Sequence, residues 1–399
     1  MTDYENNEEI KIFREYLRIP TVHPNIDYEP CIKFLKKIAE DLGLTTQTFH
    51  PVSEKFPILV MTWQGSQPEL PAILLNSHTD VVPVFEEHWT RPPFGAEMDE
   101  EGNIYARGAQ DMKCVGMQYL SALKALKASG FVPKRTIHLS YVPEEETGGI
   151  GGMKEFVDTE EFRSLKIGFS LDEGIASPDE TYPVFYAERA IWHVWFKVNG
   201  SPGHGSLLLE NTAGEKARKL IDRMDDYRKT QVEKLKANSH LVTADVTTVN
   251  LTILQGGVQS NVIPPQFTVV FDIRLAIDVN HAQFEAMLNK WCEEAGGNID
   301  IEFEQKEDFV EPTSLDNSNV YWNAFKSAID ELGLSIKTQV FPGGTDSRFI
   351  RAKSVPAIGF SPMNHTPVLL HDHNEFIKAE TYLKGIEIYK KIIPKLASA

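Results

Sequence analysis

Cysteine is scarce: the 399-residue chain has three, Cys31, Cys114 and Cys292, far apart and odd in number. That argues against a disulfide framework and a cysteine-based metal cage, and it reads as the reduced thiols of a cytoplasmic protein. No apolar run is long enough to span a bilayer. The opening Met1-Thr2-Asp3-Tyr4-Glu5-Asn6 has neither the basic nor the apolar segment of a signal peptide. Positive charge is also short: 40 Lys and Arg against 57 Asp and Glu leave a net charge of −17. Such a balance argues against nucleic acid or an anionic membrane as partner. Solubility is the plainer reading of the acidity. Internal repeats and low-complexity linkers are absent. The glycosylation patterns Asn250-Leu251-Thr252 and Asn364-His365-Thr366 come without a secretion signal and read as chance matches.

What is present is 42% hydrophobic and 24% charged residues, the composition of an ordinary globular protein, on a chain long enough for two domains. Apolar positions at helical spacing predict helices over 7–20 and 29–43, and strands are expected at 44–49, 57–64 and 71–76. A loop-rich stretch covers 89–108. Beyond it Ala109-Gln110-Asp111-Met112-Lys113 opens a helix through about 128, and strands follow at 136–142 and 167–171. Strands alternating with helices define an α/β fold. The pattern changes near 188. A strand at 190–198, a helix at 211–237, strands at 246–255 and 266–275, a helix at 281–296 and a strand at 298–304 give the order βαββαβ, a ferredoxin-like unit inserted over 188–305. The first pattern resumes with a helix at 317–333, strands at 335–341 and 355–360, and a last helix at 378–396, so the flanking domain is discontinuous, 1–187 with 306–399.

The chain is organised around Asn76-Ser77-His78-Thr79-Asp80-Val81-Val82-Pro83, which follows the apolar run Ala72–Leu75. His78 and Asp80 are two apart and share a face of an extended segment. Asp80 is either a second ligand or the group that orients His78 through its other ring nitrogen. Asp111 stands at a helix entry, where a cap is the simpler role. Pro143-Glu144-Glu145-Glu146-Thr147-Gly148-Gly149 puts three carboxylates after a strand, and Asp172-Glu173-Gly174 puts two more in the same kind of place. A solvated acidic loop is the usual account of such a run. In an open α/β sheet, however, strand ends converge on one crevice. His78, Asp80, Asp111, Glu145, Glu146, Glu173 and His371 all lie at or beyond expected strand ends. Two imidazoles and several acids without a thiol suit Zn²⁺ or another divalent metal, and so many acids together require cations to neutralise them.

These motifs, with Tyr105-Ala106-Arg107-Gly108-Ala109-Gln110-Asp111-Met112-Lys113, Gly203-His204-Gly205-Ser206, Gly343-Gly344-Thr345-Asp346 and His371-Asp372-His373, resemble the di-zinc metallopeptidases that include carnosinase, carboxypeptidase G and succinyl-diaminopimelate desuccinylase. The resemblance covers nearly the whole chain and is densest around 76–116 and 355–375. It implies a zinc-peptidase-like catalytic domain with a central mixed sheet flanked by helices, and an inserted lid and dimerisation domain. It also implies two Zn²⁺ per subunit bridged by Asp111. His78 and Glu173 complete one set of ligands, and Glu146 and His371 the other. Asp80 orients His78, Glu145 is the general base acting on a metal-activated water, and a cis peptide follows Asp111. His204 is implied to stabilise the oxyanion, in the partner subunit's site, within a homodimer. Asn261, Arg274, Gly344 and Arg348 are the candidates to contact substrate. Asn261 also fits a turn and Arg274 an end-of-strand ion pair. Arg348 fits either a substrate carboxylate or a salt bridge to Asp346. The implied reaction is hydrolysis of N-acyl-L-amino acids such as N-acetyl-L-methionine to a carboxylate and the free amino acid. A dipeptidase or carboxypeptidase on the same scaffold uses the same motifs, and a catalytically silent binding protein predicts a lost ligand or base, which the sequence does not show.

Overall fold

The computed structural model describes residues 4–399, and its backbone separates into two compact units. One holds the chain up to Tyr186 together with Glu311–Gln339 and Thr345–Ala399; the other holds Ala187–Val310 and Val340–Gly344. Among the described residues no helix is long and apolar enough to cross a membrane.

The first unit is built on an eight-stranded sheet. Its order is Thr45–Phe49, Ile58–Trp63, Ile137–Val142, Ala72–His78, Ile167–Asp172, Ala357–Phe360, Tyr182–Glu188, Ile336–Phe341. Ala72–His78 runs parallel to both of its neighbours, and Ala357–Phe360 runs parallel to Ile167–Asp172. The outer pairings at Thr45–Phe49 and Ile58–Trp63 are antiparallel. Every residue of Ala72–His78 and of Ile137–Val142 is buried, as expected of central strands covered on both faces. Their apolar runs therefore carry no alternation. The parallel strands end side by side, which sets His78, the loop after Val142 and the residues after Asp172 next to one another.

Helix Lys113–Ala128 is buried along most of its length. It packs tightly on the central strands because residue 116 is glycine: a Cβ there would stand 2.6 Å from Ser77 Oγ and 3.0 Å from the Tyr141 ring. Helix Glu8–Leu17 is started by Asn7, whose side chain accepts from the backbone N–H of Glu9 and Ile10. It turns Phe13 onto Tyr382 of the last helix, with stacked rings 4.2 Å apart. Several short elements have no counterpart in the sequence pattern. Strand Tyr182–Glu188 contains Pro183, which interrupts the signal. The stretch that reads as loop carries Glu97–Met98 and Asn103–Tyr105, which form a small sheet with Phe376–Lys378. That sheet exists through a pairing between distant parts of the chain.

The second unit runs strand Ala190–Asn199, helix Ala213–Ala237, strands Thr248–Gly256 and Gln266–Leu275, helix His281–Ala295 and strand Ile299–Lys306. Its four strands form one antiparallel sheet in the order Thr248–Gly256, Gln266–Leu275, Ala190–Asn199, Ile299–Lys306. Trp192, Val194, Phe196 and Val198 alternate into its core, packed with Leu220 and Met224 of one helix and Phe284 and Leu288 of the other. Val340–Gly344 joins this unit: the buried Arg189 donates to the Pro342 carbonyl at 3.0 Å.

His138 lies in the first unit's sheet, 7% exposed, with Nδ1 2.9 Å from Thr62 Oγ1. Burial lowers it to about 4. The unfolded chain titrates this group near 6.5 and so binds more protons between about 6.5 and 4. Its neutral form therefore supports the fold fully above about 6.5, and that support is lost as the pH falls through the window. The span corresponds to roughly 3 kcal/mol. His138→Gln is expected to flatten the acid limb of stability between about pH 4 and 6.5, read as the urea midpoint against pH.

Candidate metal centre

His78 is the last residue of its strand. Its Nδ1–H donates to the Asp80 carbonyl oxygen at 2.9 Å, which leaves Nε2 as the ring nitrogen available to a cation. Nε2 points at Asp111 Oδ1, 2.9 Å away, and stands 3.7 Å from Glu173 Oε2. The second oxygen of Asp111 faces elsewhere, 3.3 Å from His371 Nε2, and that nitrogen is 3.1 Å from Glu146 Oε2. Asp111 thus turns one oxygen to a His78–Glu173 set and the other to a His371–Glu146 set. Donor atoms of His78, Asp111 and Glu146, and of His78, Glu145 and Glu173, lie within 4.8 Å of one another. Asp111 is not a helix cap. Met112 occupies the cap position of Lys113–Ala128, and no side chain caps it. The Asp111–Met112 peptide is cis.

Electrostatics describe the same place. Burial, then the charge of Asp111, pushes Glu173 well above the usual carboxylate range. Burial, then Glu173, does the same to Glu145, and burial with Asp111 raises Glu146. His371 is raised to about 10 by its contacts with Asp111 and Glu146. Burial opposes charge on His78, yet Glu173 and the contacts with Asp111 raise it. Burial likewise opposes charge on Asp111, which the two imidazoles hold low. Negative charge exceeds what two imidazoles can balance. A divalent cation with oxygen and imidazole ligands removes that excess, so the donor set fits one.

Asp80 is fully buried. Its carboxylate lies 3.6 Å from His78 Nδ1, farther than the backbone carbonyl of the same residue. Its closer partners are His23 Nε2 at 2.8 Å and the backbone N–H groups of Glu145 and Glu146, which donate to it at 3.2 and 3.1 Å. Burial opposes its ionisation, but the two histidines hold it down at about 2. Asp80 therefore touches His78 mainly through its backbone and ties down the acidic loop through its side chain. Tyr28 braces the same loop, its hydroxyl donating to Glu144 Oε1 at 2.9 Å. Glu173 can approach closely because residue 359 is glycine: a Cβ there would stand 2.2 Å from the Glu173 carbonyl oxygen.

Four other candidates lie in the second unit. His204 belongs to a short strand paired with Val262–Ile263, and Gly205 N donates to the Asn261 carbonyl at 2.7 Å, so His204 and Asn261 are neighbours. Arg274 donates twice to Asp272 on its own strand, both at 2.9 Å, an ion pair near the strand end. Gly344 follows Pro342 and Gly343 in the segment that joins this unit. Arg348 is in the first unit, on helix Ser347–Arg351, over the Phe349 ring at 4.6 Å. The sequence reading assigns no role to His23, Tyr28, Arg107 or Glu375. Arg107 lies in the Tyr105–Lys113 stretch that bears Asp111, and Glu375 lies four residues after His371, so the signal was a charged residue close to a candidate ligand. Their partnership spans 268 residues and leaves no local pattern.

Fold and site together define a metal-dependent amide-bond hydrolase: the chain belongs to peptidase family M20/M25/M40, whose model matches residues 74–395. Within that family it is 50% identical to aminoacylase-1 of Mus musculus over 391 residues, 98% of this chain and 95% of that one. It is 48% identical to aminoacylase-1 of Homo sapiens over 394 residues, 99% and 96% of the two chains. The fold is similar to the crystal structure of an aminopeptidase from Bacillus cereus, with TM-score 0.76, 19% identity and 99% of each chain covered.

Adding a divalent cation to chelator-stripped protein is expected to raise the melting midpoint by a few degrees. At about 100 times the dissociation constant the linkage is worth about 2.7 kcal/mol. Asp111→Asn, which alters the carboxylate shared by both sets, should abolish most of the rise, and His78→Ala should reduce it. A rise unchanged in both variants places the cation elsewhere.

Proposed function

We propose that this chain hydrolyses N-acyl-L-amino acids to a carboxylate and the free L-amino acid, with two Zn²⁺ per subunit. The observation that carries the chemistry is Asp111, whose two oxygens face two separate imidazole–carboxylate sets with Glu145 in the same pocket. The substrate class rests on near full-length similarity to aminoacylase-1. His78 and Glu173 would hold one ion and His371 and Glu146 the other, with Asp111 offering one oxygen to each set. Zinc, when bound, acts as a Lewis acid and makes water acidic enough to attack at neutral pH.

The chain's own residues manage position and protons. Glu145, held protonatable by burial, takes the proton of the attacking water and passes it to the nitrogen as the C–N bond breaks. Asp80 keeps Glu145 and Glu146 in register by accepting from both of their backbone N–H groups. Ser206 N donates to His204 Nδ1 at 3.2 Å, so the proton of the neutral ring sits on Nε2, a donor suited to an oxyanion. Asn261, Arg274, Gly344 and Arg348 are assigned to substrate contacts.

The second unit is read as lid and homodimer surface, with His204 serving the partner subunit's site. The edge strand Thr248–Gly256 supports this by exposing Leu251 and Leu254, as does fully exposed Leu208 beside His204. Three unpaired, buried cysteines suit a reducing cytoplasm.

The test is release of free amino acid from N-acetyl-L-methionine beside an unblocked dipeptide, with zinc-loaded protein. Strong preference for the acetylated substrate is expected; preference for the dipeptide moves the chain to peptidase chemistry on the same site. Glu145→Gln should lower kcat by about 10²–10⁴ while zinc stays bound. His204→Ala should lower kcat by about 10²–10³. Sedimentation should show a dimer, and a monomer with full activity overturns the role of His204 across subunits.

A further inference from the structure

Glu375 is a fully buried carboxylate outside the two ligand sets. Oε1 accepts from the backbone N–H of Gln110 at 2.6 Å and of Asp111 at 3.3 Å. Oε2 accepts from Arg107 Nη1 at 2.9 Å and from the backbone N–H of Gly108 at 3.2 Å. With both oxygens committed in this way, Glu375 serves the Gly108–Asp111 backbone and is not itself a ligand.

Arg107 extends the arrangement to the other side. The same Nη1 donates to the Asp372 carbonyl at 3.0 Å, and Nη2 lies 3.4 Å from the His371 carbonyl. The guanidinium sits 5.3 Å over the Trp89 ring. Gln110 adds two more ties, its Nε2 donating to the carbonyls of Pro367 and Phe376 at 3.0 and 2.8 Å. The segment that ends in Asp111 and the segment that carries His371 are thus fastened through one buried ion pair.

We infer that Arg107 and Glu375 are a positioning pair: they fix the separation of Asp111 from His371, and through it the affinity for the cation at the His371 position. This rests on the metal reading proposed above. The pair touches neither substrate nor cation. Its effect passes through the backbone of Asp111 and the carbonyl of His371. His78 is held by its own strand and by the Asp80 carbonyl, so the pair reaches the His78 position only through the shared Asp111, whereas it reaches the His371 position through both Asp111 and the His371 carbonyl. A merely structural ion pair would loosen both positions equally, and its loss would show in the stability of the metal-free protein.

The experiment measures Zn²⁺ stoichiometry and stepwise affinity by chelator competition on stripped wild type, Glu375→Gln, Arg107→Lys and His371→Ala. Glu375→Gln puts an amide where four donors converge. Arg107→Lys keeps a cation beside Glu375 but cannot reach both carbonyls. Both should lose affinity for one of two ions by about 10–100-fold, with a clearly smaller fall for the other. That ion should be the one lost in His371→Ala, so adding Glu375→Gln to His371→Ala should cost the remaining ion no more than that smaller fall. Retention of both ions at wild-type affinity in folded variants overturns the inference, and so does an equal fall at both positions. Should Glu375→Gln fail to fold, Arg107→Lys decides alone. Wild type that binds fewer than two ions overturns the di-zinc reading and the inference with it. Wild type that binds two, with variants that do the same, overturns the inference only.

Discussion

Burying negative charge is the constraint on which this molecule depends. Asp111, Glu145, Glu146 and Glu173 meet at the ends of parallel strands, beside the imidazoles of His78 and His371. A buried carboxylate tolerates ionisation when donors or cations surround it, and otherwise takes up a proton. Burial and mutual repulsion raise three of these acids, an excess of negative charge that a divalent cation would offset. The same carboxylates that make the metal-free pocket costly are what give it affinity.

Around this pocket lie buried acids whose task is to hold backbone in place. Asp80 gathers His23 and the N–H groups of Glu145 and Glu146. Glu375 gathers Arg107 and the N–H groups of Gly108, Gln110 and Asp111. Asp172 accepts from Glu173 N, Asn76 Nδ2 and Ser347 Oγ, while Asn76 Nδ2 also reaches Asp346. Each fixes a loop that bears a proposed ligand or base, because a backbone N–H bonded to a buried acid cannot turn to solvent. Loops are the least rigid parts of a fold, and these supports make them suitable for chemistry that needs placement to within a fraction of an ångström.

The α/β class, the fully buried strand before His78 and the βαββαβ order of the second unit were legible in the sequence, because hydrophobic periodicity is a local property of the chain. His78, Asp111, Glu145, Glu146, Glu173 and His371 were legible as candidates because acids and histidines gather after apolar strands. The small sheet at Glu97–Met98, Asn103–Tyr105 and Phe376–Lys378 was hidden, since its strands are too short to carry a period and are defined by a distant partner. Pro183 concealed Tyr182–Glu188 by a local rule that the sheet overrides.

By itself the sequence determined the inventory: which residues could bind a cation or move a proton, and where most of the longer strands and helices lie. Only the tertiary structure decided their partners. It showed that Asp111 divides its oxygens between two imidazoles, that the Asp80 side chain serves the acidic loop more closely than it serves His78, and that Arg107 and Glu375 meet across 268 residues. The reason is physical. Hydrophobic pattern and turn chemistry act over neighbours in the chain, whereas a buried charge is satisfied by whatever donors the packed fold brings to it, at any separation.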